Sequence, residues 1–209
     1  MKSLEARLFL AKSNFELQRI MASYSNYLSG GQFEKIMELF SNEQEDVRAE
    51  MPWGIYQGYR SLLRLYQGYY RKVLCGGQGN VLQPGVLDVH GMNTPVIAVA
   101  EDGCTARGLW ISPGMFTLKD PEGANGLQSY WCWQKIGADF IYENDAWKIW
   151  HLHVYPIWTT PFEVSWTEEH KDPTRQKPEV EFYADLPPSG VKEPKAPMPY
   201  ATFSTADSY

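Results

Sequence analysis

The feature that most limits what this chain can fold into is a change of texture near residue 75. Before it, apolar residues recur at helical spacing. After it, β-branched and aromatic residues run in short segments separated by turns. A helix buries one stripe with a period of 3.6 residues and a strand buries one face with a period of 2, so the chain changes code once. Helices and sheet segregated in this way define the α+β class rather than the alternating α/β class.

Leu4, Leu8, Leu17, Ile20, Met21, Tyr24, Tyr27 and Leu28 predict one long amphipathic helix, or two, stopped at Gly30-Gly31. Phe33, Ile36, Met37, Leu39 and Phe40 predict a shorter helix ending near Ser41-Asn42, with a short strand near Val47 to Met51. After the turn-rich MPWGIYQG, Leu62, Leu63, Leu65, Tyr66, Tyr69, Tyr70 and Val73 predict a third helix that stops at CGGQGN. That glycine-rich stretch follows a helix and lacks GK[ST], so it reads as a turn and not as a phosphate loop.

VLDVHGM, TPVIAVAED, CTARGLWIS, QSYWCWQKIGADFIYEN and WKIWHLHVYPIW then read as strands, with Glu101-Asp102-Gly103 and Glu143-Asn144-Asp145 as hairpin turns. The expectation is three helices packed into a strongly curved antiparallel sheet over residues 1–166. In 167–209, Pro173, Pro178, Pro187, Pro188, Pro194, Pro197 and Pro199 break any regular element. Val180, Phe182, Tyr183, Tyr200 and Phe203 give that stretch apolar anchors, so it reads as an extended arm packed on its own domain or on a second subunit, the alternative being a disordered tail.

A chain of 209 residues with 44% hydrophobic content can bury one core without disulfides. A net charge of -6 offers no broad basic surface, which argues against nucleic acid as a partner. Cys75, Cys104 and Cys132 are odd in number and form no CxxC, so neither a disulfide framework nor a zinc knuckle is expected, and a reducing cytoplasm fits. The first residues mix charged with apolar positions unlike a signal peptide, and no stretch approaches the roughly 18 apolar residues of a membrane span.

His90, His151 and His153 fall in strand segments, and strict alternation puts His151 and His153 on one face with Trp147 and Ile149. A histidine facing an apolar cavity works as acid or base near neutral pH, whereas a hydrogen-bonded core histidine does not. HxH plus a third histidine also matches a metal trio, but no carboxylate is read at matching strand spacing, so no metal is expected. Arg107 is either a pocket residue or an outward, solvated one, and Glu50, beside the MPWG loop, is either a pocket carboxylate or a solvated turn residue. Tyr24 and Tyr27 share a helix face. Seven of the eight tryptophans lie after residue 100, enough to fill a core and leave aromatic faces for a ring-bearing ligand; Trp53, Tyr56, Tyr27 and Trp110 are assigned to that wall.

Over roughly residues 5 to 160 the chain resembles the SnoaL-like branch of the nuclear transport factor two-like superfamily, in YSNYLSGGQFEKIMELFS, GIYQGYRSLLRLY, LDVHGMNTPVIAVAEDGCTARG and DAWKIWHLHVY. The resemblance implies a cone, a curved antiparallel sheet wrapped around helices with the pocket between them, and a frequent dimer (or trimer). Characterised members include scytalone dehydratase, bile acid dehydratases, ketosteroid isomerase and polyketide cyclases, which mostly move protons on hydrophobic substrates without a cofactor. In the dehydratases a first-helix tyrosine is followed five positions later by an aspartate, and a histidine opens the strand after the third helix. Tyr24 matches the tyrosine and His90 the histidine, but Ser29 stands at the aspartate position.

The resemblance, taken with the histidine trio, leads to the expectation of a cofactor-independent lyase of dehydratase type acting on a small hydrophobic, aromatic or polycyclic hydroxylated substrate, in which His90 moves the proton, Tyr24 hydrogen-bonds the leaving or carbonyl oxygen, and His151 or His153 assists. An isomerase or cyclase and a non-catalytic binding protein are the alternatives. The long form with a proline-rich arm also resembles the lyases that remove formaldehyde from lignin-derived diarylpropanes.

Overall fold

The computed structural model describes residues 3–120, 123–169, 173, 177–191 and 193–205. Helix α1 (Leu4–Ser29) is a single helix, capped by the Ser3 hydroxyl, which accepts a hydrogen bond from the Ala6 amide. Its buried stripe is Ser13, Leu17, Met21, Tyr24 and Leu28, spaced three or four apart as one helix face requires. Helix α2 is Phe33–Leu39. The third helical stretch comprises α3 (Tyr59–Leu63), a π-helical segment (Arg64–Tyr70) and α4 (Arg71–Cys75), ended by Gly76 in the left-handed region at φ 73°. The wider π turn points Leu65 and Tyr66 into the core while Tyr69 and Tyr70 reach the cavity described below.

The strands are β1 (Arg48–Met51), β2 (Gly54–Gln57), β3 (Asp88–His90), β4 (Asn93–Val99), β5 (Thr105–Lys119), β6 (Leu127–Glu143) and β7 (Ala146–Pro161). They form one sheet in the order β2-β1-β7-β6-β5-β3, with β4 also paired to β5. The expected meander of antiparallel strands is present in β5, β6 and β7. The β6–β7 turn is Asn144-Asp145, both at positive φ, as a tight hairpin with right-handed strand twist demands. The sheet is nevertheless mixed, because β1 lies parallel to β7, Arg48 opposite His151 and Glu50 opposite His153. The stretch read as a turn, GIYQ, is strand β2, hairpinned onto β1.

The core lies between the helices and the concave face of the sheet, where Ala106, Trp110, Ile136, Ala138 and Phe140 meet Leu17, Met21, Phe33, Leu62 and Tyr66. One irregularity in β7 reverses its alternation. Ile149 pairs with Phe140 and His151 with Asp139, so two β7 steps oppose one β6 step and Trp150 is the extra residue. Ile149 and Leu152, three apart, therefore both face the core.

Residues 170–172, 174–176, 192 and 206–209 of the expected arm lie outside the described residues. In the described remainder, Ile55 of β2 exchanges backbone hydrogen bonds with Asp185 and Leu186, Tyr56 Oη donates to the Phe182 carbonyl at 2.7 Å, and Arg64 meets Asp185 at 2.6 Å. Tyr200 packs with Ala98 and Ala100 behind β4, and Phe203 lies against Trp150. Among the described residues no helix is long and apolar enough to cross a membrane.

Candidate active site

A cavity of about 370 Å³ opens between α1, the third helical stretch and the concave face of the sheet, within the size range of small-molecule sites. Tyr24, Trp53, Tyr69, Tyr70 and Phe116 give it aromatic walls, and Phe182 and Pro178, far along the chain, complete it. Its polar lining is Asp88, His90, Gln134 and Thr117, together with Lys72, Lys119, Lys177 and Glu179.

Asp88 and His90 are two apart on β3 and so share a face. His90 Nε2 lies 2.8 Å from Asp88 Oδ1, and His90 Nδ1 lies 3.0 Å from Gln134 Nε2 and 3.6 Å from Cys132 Sγ. Ser25 of α1 donates to the His90 carbonyl oxygen, tying the strand to the helix. Burial by itself would push the imidazole down, but the Asp88 carboxylate, with a smaller contribution from Cys132, outweighs it and raises the pKa to about 10. His90 is thus an imidazolium at neutral pH.

Tyr24 is fully inside the core, its hydroxyl 3.0 Å from that of Tyr66. Burial, only partly opposed by the Tyr66 hydrogen bond, lifts the Tyr24 phenol above its ordinary range, and burial likewise takes Tyr69 to about 12. These hydroxyls stay protonated and serve as hydrogen-bond donors. Trp53 lines the cavity, and its indole N–H donates to Tyr56 Oη at 2.9 Å, so Tyr56 holds Trp53 and Phe182 in place instead of reaching the cavity itself. Tyr27 packs at the core edge with Lys35 over its ring, and Trp110 packs edge-on to Phe140; neither is among the cavity-lining residues.

The extra residue at Trp150 overturns the expectation that His151 and His153 share the face of Ile149. Both lie on the convex face, away from His90. His151 Nδ1 is 2.9 Å from Asp139 Oδ2, and Arg107 Nε is 3.1 Å from Asp139 Oδ1, with the guanidinium over the Phe203 ring. Arg107 is therefore neither a cavity residue nor solvated: it is a buried partner in a convex-face ion pair. His153 Nε2 is 3.2 Å from Glu50 Oε1, which also accepts from the Ser189 amide and hydroxyl at 2.7 Å each. Burial works to raise the Glu50 carboxyl, but His153 and Ser189 prevail and hold it below the usual carboxylate range.

Ser29 ends α1 and donates to the Asn26 carbonyl, turned away from His90. The carboxylate beside the histidine is Asp88, which sequence reading missed although the Asp-x-His spacing in VLDVH signals it through the period of 2. Gln134 and Cys132 were missed as well, since only strand pairing through β5 brings them to His90. Among the described residues no group of three or more His, Cys, Asp or Glu side chains is arranged to hold a metal.

A sheet curved around helices, with a cavity between them bearing the Asp88–His90 pair, defines an NTF2-like cone. The chain belongs to the SnoaL-like family, whose domain profile matches residues 12–153. Among similar solved structures is a hexachlorocyclohexane dehydrochlorinase, LinA type 3, from Novosphingobium barchaimii LL02 (13% identity, 75% of this chain and 94% of that one, TM-score 0.59). A protein from Novosphingobium aromaticivorans DSM 12444 provisionally named a scytalone dehydratase aligns at 13% identity over 75% of this chain and 92% of its own, TM-score 0.58. An NTF2-like protein with a cystatin-like fold from Novosphingobium aromaticivorans aligns at 18% identity over 75% and 92%, TM-score 0.55. At such identities the likeness shows the fold. No curated protein sequence matches the chain significantly.

Proposed function

We propose that this chain is a cofactor-independent lyase of dehydratase type, acting on a small aromatic or polycyclic hydroxylated carbonyl compound. The observation that carries the reading is the Asp88–His90 pair set in the wall of a cavity walled largely by aromatic side chains. The relatives' own names, a dehydrochlorinase and a provisional dehydratase, support elimination chemistry.

In this scheme the pair supplies both acid and base. The His90 imidazolium gives a proton to the departing hydroxyl, which leaves as water. The Asp88 carboxylate takes the proton from the adjacent carbon, and the C–H electrons form the new double bond. The pair ends the step with the proton count it began with, and transfer from Asp88 back to the imidazole resets it. Tyr24, protonated and paired with Tyr66, hydrogen-bonds the substrate oxygen. The segment 177–191 acts as an arm that covers the cavity in cis through Pro178 and Phe182.

The test is turnover of a panel of β-hydroxy aromatic ketones, read by product mass. Loss of water in the wild type, abolished in His90→Ala and Asp88→Asn with the fold intact by circular dichroism, is expected. A His90→Ala variant turning over near the wild-type rate would overturn the assignment, and a product of unchanged mass would make the chain an isomerase.

A further inference from the structure

Both ring nitrogens of His90 are engaged, and the charge on the ring decides what each partner must be. Nε2 faces Asp88 Oδ1 at 2.8 Å, and Nδ1 faces the side-chain amide of Gln134 at 3.0 Å. A neutral ring that gives its one N–H to Asp88 keeps a lone pair at Nδ1, and Nε2 of Gln134 turned toward the ring answers that form. The imidazolium carries an N–H at both positions, so at Nδ1 it needs an acceptor. Of the two amide atoms only Oε1 accepts. A half turn about the last side-chain bond of Gln134 brings Oε1 to the ring and carries Nε2 to the place Oε1 held.

The sheet gives the amide room to do this. Gln134 stands on β6 opposite Ser112 of β5, and it reaches His90 of β3 across the intervening strand. What it passes over is Gly114, the register partner of His90, where a Cβ would lie 2.4 Å from Nδ1. Gln134 is only 7% exposed, yet it lines the cavity. The amide atom that does not face His90 has no hydrogen-bond partner among the described residues and is not sealed in the core. The space it meets is the cavity.

The charge on His90 is thus passed on as a choice of hydrogen-bonding partner. A neutral ring shows the cavity an amide oxygen, and an imidazolium shows it an amide N–H. Asp88 holds the ring in the charged form with a pKa of about 10, so at neutral pH the cavity meets the donor.

We propose that Gln134 is the carbonyl-binding residue of this cavity, its amide N–H donating to the carbonyl oxygen of an aryl ketone while its Oε1 accepts from His90. Its catalytic role rests on the dehydratase reading. There Asp88 takes the proton from the carbon beside the carbonyl, and as the C–H pair moves into the new double bond, negative charge builds on the carbonyl oxygen. A donor already in place at that oxygen lowers the energy of the charged state.

The test uses chalcone, the enone that loss of water from a β-hydroxy diaryl ketone leaves, isotope-labelled at its carbonyl carbon and bound to the full chain. Infrared difference spectroscopy at neutral pH is expected to find the carbonyl stretch below its position in hexane, and Gln134→Leu should return it toward that position. Gln134→Glu keeps the length and still accepts from His90 but brings no N–H, so it should do the same. In both variants the His90 ring protons should stay in the imidazolium position by NMR, which separates loss of a donor from damage to His90. Turnover of the β-hydroxy ketone by Gln134→Leu should fall about 100-fold in kcat. Should Gln134→Leu fail to fold, Gln134→Glu decides. A lowered stretch in wild-type protein that releases no water from the hydroxy ketone upholds the Gln134 donor and removes the dehydratase reading. An unshifted stretch in the wild type, a stretch lowered equally in the folded variants, or chalcone that does not bind overturns the proposal.

Discussion

Glu50 and His153 face each other across the parallel pairing of β1 and β7, with Oε1 and Nε2 3.2 Å apart, and the same Glu50 oxygen takes both hydrogen bonds from Ser189. One carboxylate on the convex face thus fixes both a strand and the returning chain, and its protonation releases both.

The Glu50 pKa is depressed in the folded state, so its contribution to stability is present above the unfolded carboxylate range and is lost as pH falls through the lower folded value. Glu50→Gln should reduce stability by about 1–3 kcal/mol at neutral pH and flatten the acid limb of the stability profile. Urea unfolding at a series of pH values checks both.

His90 has the opposite sign. Its pKa is raised to about 10 by Asp88 against the downward pull of burial, so its contribution is full below the unfolded histidine value of about 6.5 and is lost as pH rises through about 10. In an NMR titration its ring protons should stay in the imidazolium position across neutral pH, and Asp88→Asn should bring the transition down into the neutral range. A wild-type ring that titrates near about 6.5 would contradict the ion pair.

Gly114→Ala places a methyl 2.4 Å from His90 Nδ1 and 2.7 Å from the Val89 carbonyl, where backbone cannot yield cheaply. Overpacking of this kind costs about 1–3 kcal/mol, so the protein should still fold, while displacement of the His90 ring should remove turnover. Urea denaturation and a turnover assay on the same preparation test this.

The Arg107–Asp139–His151 cluster makes a contrasting prediction. Asp139→Ala leaves a buried guanidinium without its carboxylate, an arrangement that costs about 3–5 kcal/mol. Turnover per folded molecule should be unaffected, because the cluster lies on the face opposite the cavity. A large loss of turnover in folded Asp139→Ala protein would return His151 to the active site.

The helices were legible because Leu17, Met21, Tyr24 and Leu28 write their stripe in local spacing, and the β6–β7 hairpin because Asn144-Asp145 is a turn signal with a local cause. The parallel β1–β7 pairing was not legible, since it joins segments about a hundred residues apart whose side chains carry no mark of the partner. His151 and His153 were placed on the wrong face for a smaller reason: one extra residue, Trp150, reverses the alternation, and a bulge leaves no signal in composition. Within the candidate site, His90 and Tyr24 were named from the family pattern and Asp88 was missed although its spacing from His90 was there to read, whereas Cys132 and Gln134 depend on a three-strand register that only the folded sheet provides.

The cavity takes its last wall from Pro178 and Phe182, which come after all the strands in the chain. During synthesis, the cone and its acid/base pair would form first, with the chamber still open on that side. A ribosome-bound chain, or one cut just after β7, would carry the acid/base pair in a bowl that lacks the wall Pro178 and Phe182 supply.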